Sequence, residues 1–224
     1  FALWDKNGDE EYWLTAYVMD FLVRAGEQGY SVPTDVINRG NERLLRYLQD
    51  PGMMSIPYAD NLKASKFAVQ SYAALVLARQ QKAPLGVLRE IWEHRADAAS
   101  GLPLLQLGVA LKTMGDATRS EEAIALALKT PRNDERKWLG DYGSPLRDNA
   151  LMLSLLEENK LLPDEQNTLL NTLSQQAFGE RWLSTQESNA LFMAARTIQD
   201  LPGKWQAQTS FSAEPLTGAK QQSE

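Results

Sequence analysis

Three carboxylates stand where acid chemistry would need them. Asp20 interrupts the apolar run of a first helix, Asp141 lies in a long loop, and Asp148 follows Arg147 at the opening of a later helix. A glycosidase needs two such acids roughly 5–10 Å apart, and Asp20 with Asp148 is the pair a helical barrel would use. Trp4, Tyr12, Trp13, Tyr17, Tyr58 and Tyr72 would then line a cleft for a carbohydrate or an isoprenoid. Each of these residues also has a structural role open to it. A negative charge suits a helix N-terminus, where Asp148 falls, and Asp20 can pair with a base or face water. Aromatic residues at helical spacing fill cores.

Other chemistry is sparsely represented. The single histidine, His94 in Trp92-Glu93-His94-Arg95, has no Cys or second His near it to share a metal, and it reads as a residue of a wet helix face. The absence of cysteine excludes disulfides, thiol catalysis and Cys-ligated zinc. No Gly-rich phosphate loop and no Gly-x-Ser-x-Gly elbow occurs. We therefore expect no catalytic, cofactor-binding or metal-ligating residue in this segment. Two features remain: the loop Thr130–Ser144, rich in charge, and the apolar pair Met53-Met54, suited to a gap or a docking contact.

The elements that must position these residues read as helices almost throughout. The chain has 224 residues, 43% hydrophobic and 23% charged, enough for one good core. Its net charge of −6 gives no electrostatic drive toward nucleic acid or an anionic membrane. No apolar run reaches the roughly 18–20 residues that span a bilayer. Helical spacing predicts helices near Asp9–Gln28, Pro33–Gln49, Asp60–Gln81, Leu85–Ala98, Leu102–Met114, Glu121–Thr130, Pro145–Asn159, Pro163–Phe178 and Thr185–Gln199. Pro33, Pro145 and Pro163 suit first-turn positions, where a missing N–H costs nothing. Ser184 with Glu187 fits a capping box. Gly29, Gly101, Gly115, Gly179 and Gly203 fall where helices should stop or turn.

These helices alternate in character. The first, third and ninth are apolar nearly all round, which predicts burial on every side. The second and fourth carry one stripe: Ile37, Leu44, Leu45 and Leu48 in the second, Leu88, Ile91 and Trp92 in the fourth. Such helices bury one face and wet the other. Alternating inner and outer helices predict an all-α, two-layer α/α barrel or an α-solenoid. Ala74-Leu75, Ala110-Leu111, Ala150-Leu151 and Ala190-Leu191 recur at a spacing typical of stacked helix pairs. After Pro202 the pattern changes, so residues 1–203 read as the helical domain and 204–224 as a strand-like or irregular exit segment toward a following domain.

Three segments carry a family resemblance. Tyr12-Trp13-Leu14-Thr15-Ala16-Tyr17 resembles a helix start in the thioester-containing domains of the complement C3/α2-macroglobulin family. Ser144–Leu153 is similar to a later inner helix of the bacterial members, and Trp182–Ala190 to a Ser-Thr-Gln-Glu helix start. The similarity runs from about Phe1 to Gln199 and fits the C-terminal part of that domain. The resemblance implies an incomplete α/α toroid from a broad-spectrum endopeptidase inhibitor that traps proteases. It implies an upstream Cys-x-x-Gln thioester, which this segment would support as a scaffold and which would precede Phe1. It implies target proteases and neighbouring β-sandwich domains as partners, a periplasmic setting and a lipid anchor to the inner membrane outside this segment. Nucleic acid and membrane contact by this segment are not expected. The turn Asp50–Asp60, where some complement members place a His, has none. The alternatives are an α/α-barrel enzyme and a plain helical-repeat binding scaffold.

Overall fold

The computed structural model describes residues 1–3, 8–132, 139–177 and 182–199. It contains α1 (Tyr12–Glu27), α2 (Thr34–Gln49), α3 (Leu62–Arg79), α4 (Leu85–Glu93), α5 (Gly101–Thr113), α6 (Ala117–Leu128), α7 (Pro145–Glu158), α8 (Pro163–Ala177) and α9 (Thr185–Gln199). Two 3-10 turns, Pro51–Met53 and Arg95–Asp97, interrupt the connections. There is no strand among the described residues. Trp4, residues 133–138 of the charged loop, Gly179, Gly203 and the exit segment 204–224 lie outside them.

Helix boundaries follow local chemistry. Asn61, Asp116 and Ser144 each accept a hydrogen bond from the backbone N–H three residues on, at 3.1, 3.2 and 3.1 Å. Such caps satisfy an N–H that the helix leaves unpaired. Asp116 starts α6 at Ala117, four residues before the predicted Glu121, because the cap outranks the first apolar residue as a start signal. The fourth helix ends at Glu93, not Ala98: the backbone leaves helical geometry at His94 and continues as a 3-10 turn. Pro33 stands just before the first turn of α2, and Pro145 is within the first turn of α7. Gly29 and Gly115 adopt φ of +84° and +96°, the left-handed turn that ends a helix. Gly101 instead opens α5, where a Cβ would overlap the carbonyl oxygen of Ala127.

The helices form two layers. α1, α3, α5, α7 and α9 pack side by side in that order, while α2, α4, α6 and α8 back onto them. The repeat positions Ala74, Ala110, Ala150 and Ala190 are 0–1% exposed, one on each inner helix from α3 to α9. Small side chains there let the inner helices approach closely. In α5 every residue from Gly101 to Leu111 is buried. The expectation of all-round burial fails for the two end helices. Phe21 of α1 is 65% exposed and Phe192 of α9 71% exposed. Each end helix packs closely against an inner neighbour on one flank only, and on the other flank Phe21 and Phe192 stay uncovered. The arc is therefore an incomplete α/α toroid, with α1 and α9 meeting where Asn189 Nδ2 donates to the Tyr17 hydroxyl at 3.0 Å.

Candidate functional site

Two polar constructions occupy the inner layer. The first is built at the start of α7. Pro145 and the Ser144 cap fix the first turn, which carries Arg147 and Asp148, 1% and 3% exposed. Arg147 donates through Nε and Nη2 to Asp148 Oδ1 at 2.9 and 2.5 Å. Its Nη1 donates to the Asp141 carbonyl, and its Nη2 reaches Asp141 Oδ2 at 3.3 Å. Arg132 closes the group from the other side, donating to Asp148 Oδ2 at 2.8 Å and to Asp141 Oδ2. Two cations and two anions thus neutralise one another out of water. The Arg147 guanidinium also lies 5.2 Å from the centre of the Trp13 ring, which ties the group to α1.

Burial by itself would raise the Asp148 pKa. The charges of Arg147 and Arg132 and their hydrogen bonds outweigh it and hold the carboxyl below its ordinary value. A carboxylate so held does not donate a proton at neutral pH. Gly143 lies beside it: its N–H donates to Asp141 Oδ1 at 3.1 Å, and a Cβ there would push the Arg132 guanidinium out of its present place.

The second construction lines a cavity of about 990 Å³ between α1 and α9, with α3, α5 and α7 behind it. Asp20 is 6% exposed. It accepts from Arg24 Nε at 3.0 Å and from the Tyr72 hydroxyl at 3.1 Å. Burial first, and then the Asp20 charge, push the Tyr72 hydroxyl well above its usual pKa. Arg24 reaches both oxygens of Glu158 at 2.5 and 3.2 Å, and Arg79 joins Glu158 at 2.8 Å and Glu27 at 2.9 Å. This chain of charges links α1, α3 and α7 across the cavity wall.

The sequence candidates separate accordingly. Asp141 and Asp148 come together, but each is taken by arginines. Asp20 lies in the cavity wall, and Asp148 does not line that cavity. Trp13 and Tyr72 are core residues in ring contact at 5.6 Å. Tyr17 stacks on Trp13 at 5.4 Å. Tyr58 is 83% exposed and does not line that cavity. Tyr12 instead fastens the turn after α2, receiving the Ser55 N–H at 3.3 Å and donating to the Met53 carbonyl at 3.4 Å. Met54 is buried as a gap-filler, and Met53 is half-buried. His94 is exposed. Among the described residues no group of His, Asp and Glu is arranged to hold a metal. The capping box forms as its spacing predicts: Ser184 N donates to Glu187 Oε2 at 2.8 Å, and Glu187 N to Ser184 Oγ at 3.2 Å. Glu187 also accepts from Ser144 Oγ at 2.7 Å, joining the α7 and α9 starts. Sequence reasoning missed Arg132 and Gly143 as partners of the acids. The signal available was the adjacent pair Arg147-Asp148 with an Asp-Tyr-Gly turn before it.

Over 223 residues the chain is 95% identical to α2-macroglobulin of Escherichia coli K12, a match that covers 99% of this chain. The chain belongs to the α2-macroglobulin family. It spans 14% of the length of that E. coli relative. The native E. coli α2-macroglobulin structure running from domain MG7 to the C-terminus matches with TM-score 0.89 and 96% identity, over 96% of this chain and 34% of that one. The trypsin-activated E. coli structure matches with TM-score 0.86 and 95% identity, over 96% of this chain and 14% of that one. A Salmonella α2-macroglobulin reacted with methylamine matches at TM-score 0.88 and 75% identity, again over 96% of this chain and 14% of that one. No family model matches the chain. The α2-macroglobulin fold of this region thus recurs in native, trypsin-activated and amine-reacted relatives.

Proposed function

We propose that this segment is the rigid helical scaffold of a protease-trapping α2-macroglobulin, supporting a Cys-Gln thioester carried upstream in the same polypeptide. The observation that carries the reading is the match of one fold to both native and trypsin-activated E. coli α2-macroglobulin. A domain that keeps its shape while the protein responds to a protease serves as a platform. The amine-reacted Salmonella relative is the outcome a thioester would give, since methylamine attacks an acyl–sulfur bond and frees the thiol. The buried Arg–Asp group and the charge chain in the cavity wall supply the rigidity. The segment acts without enzymatic chemistry: the acids an α/α-barrel hydrolase would use are neutralised by arginines.

In this reading residues 1–203 are the C-terminal part of the toroid and 204–224 lead toward a following domain. The preceding part of the same toroid fills the open side between α1 and α9. Neighbouring β-sandwich domains cover the thioester, because water would hydrolyse it. The protein works in the periplasm on endopeptidases, held to the inner membrane by a lipid outside this segment. The test is methylamine uptake, by intact mass, on the chain extended upstream by about one hundred residues, the size of a small domain. Gain of one methylamine with one new thiol supports the reading. A folded protein that gains neither refutes the thioester.

A further inference from the structure

The polypeptide reaches α1 through residues 1–11, and the described ends of that segment are tied to the body of the domain by a polar network. Glu10 accepts from Arg43 Nε at 2.8 and 3.0 Å, from Arg43 Nη2 and from the Tyr47 hydroxyl. Arg43 and Tyr47 both belong to α2, and Tyr47 is fully buried. Burial by itself would raise the Glu10 pKa, but the hydrogen bonds from Arg43 and Tyr47 and the Arg43 charge hold it below its ordinary value. The backbone nitrogen of Phe1 donates to Thr15 Oγ1 at 2.8 Å, and the Phe1 carbonyl accepts from the Glu11 N–H at 2.9 Å. A peptide N–H at that position of a longer chain is the same donor. Thr15 is 1% exposed, in the second turn of α1. Glu11 also accepts from the Tyr142 hydroxyl, before α7, at 3.4 Å.

We propose that Glu10, Arg43, Tyr47 and Thr15 are positioning residues for the upstream thioester, holding the segment by which the thioester-bearing part of the polypeptide joins this domain. They act through the backbone they hold and not on the acyl–sulfur bond. The inference rests on the thioester reading above and adds a device that keeps the bond intact until a protease arrives. A sheltered thioester survives only while water is kept from it. Water reaches such a bond through local opening, so its loss follows the population of the opened state. Each charge-assisted hydrogen bond taken from the network raises that population. Glu10 is the centre because both α2 donors converge on it. α2 in turn packs on α1 and α3, so the entry segment is braced against the body of the domain.

The experiment uses the full-length protein, stored at neutral pH without protease. Water adds across the acyl–sulfur bond to give a carboxylate and a free thiol, so intact mass and thiol titration follow the loss together. This segment contains no cysteine and adds nothing to the thiol count. Arg43→Met and Tyr47→Phe should each speed the loss by at least about fivefold, the effect of one charged hydrogen bond on a two-state opening. Arg43→Lys keeps the charge and should restore most of the lifetime. Arg89→Met is the control for stability alone: it breaks a comparable pair, Arg89 with Asp116 at 2.6 Å, between α4 and the start of α6. Melting temperatures are taken for every variant. Arg89→Met should keep the wild-type lifetime even where its melting temperature falls. A wild-type lifetime in Arg43→Met, or equal acceleration in Arg89→Met, overturns the positioning role and leaves the thioester reading standing. A folded wild-type protein that takes up no methylamine would sink both.

Discussion

Replacing Arg147 by Met removes the hub of the buried ion group and is the most informative single change. The guanidinium makes four hydrogen bonds, two to Asp148 and two to Asp141, and is 1% exposed. Taking one partner out of a buried pair costs about 3–5 kcal/mol, because the other charge stays buried without compensation. Arg132 remains as a second cation and softens that cost for Asp148. The contact with Trp13 is lost as well, worth about 1–2 kcal/mol where desolvated. Together these place the loss at about 3–5 kcal/mol. The assay is equilibrium urea unfolding of the upstream-extended chain followed by far-UV circular dichroism. Asp148→Asn in the same background gives a double-mutant cycle, and the two changes should be strongly non-additive because they remove one interaction. A loss below about 1 kcal/mol for Arg147→Met, with additive double mutants, would refute the view that this group holds α7 to α1.

Acid should unfold the domain partly through Asp148. Its folded pKa lies below the unfolded carboxylate value of about 3.9. The pair therefore stabilises the fold above that value and its contribution is lost as pH falls through the folded pKa. Asp148→Asn should flatten this acid limb, and an unchanged limb would argue against the assignment. Glycine substitutions should split by position. Gly101→Ala should cost about 1–3 kcal/mol by overpacking against the Ala127 backbone, whereas Gly86→Ala in α4 meets nothing within 4 Å and should stabilise by about 0.4–1 kcal/mol. Melting temperatures of the two variants check both signs. The chain by itself should self-associate through its open side, where Phe21, Tyr30 and Phe192 are 65%, 72% and 71% exposed. A concentration-independent monomer with a sharp melt in analytical ultracentrifugation and calorimetry would contradict this.

Periodicity located the helices, because burial of one stripe or of all sides leaves a direct record in residue type, but the start of α6 was set by the Asp116 cap and the end of α4 by the turn at His94. Both the boundaries of α9 and its Ser184–Glu187 cap were readable, as was the inner layer through Ala74, Ala110, Ala150 and Ala190. Family membership was legible in the Trp13-Leu14-Thr15 helix start. Other features had no local signal. That Asp148 is bound by Arg132, sixteen residues earlier, depends on how the loop returns to α7, and no spacing rule reports a loop's path. Asp20 could be read as an acid of a catalytic pair, although pairing with a base was the reading its sequence favoured, and Arg24 and Tyr72 around it decide for pairing. Phe21 and Phe192 read as core residues. Only the tertiary arrangement made them the rims of a groove, because exposure depends on which neighbours a helix has and not on its own composition.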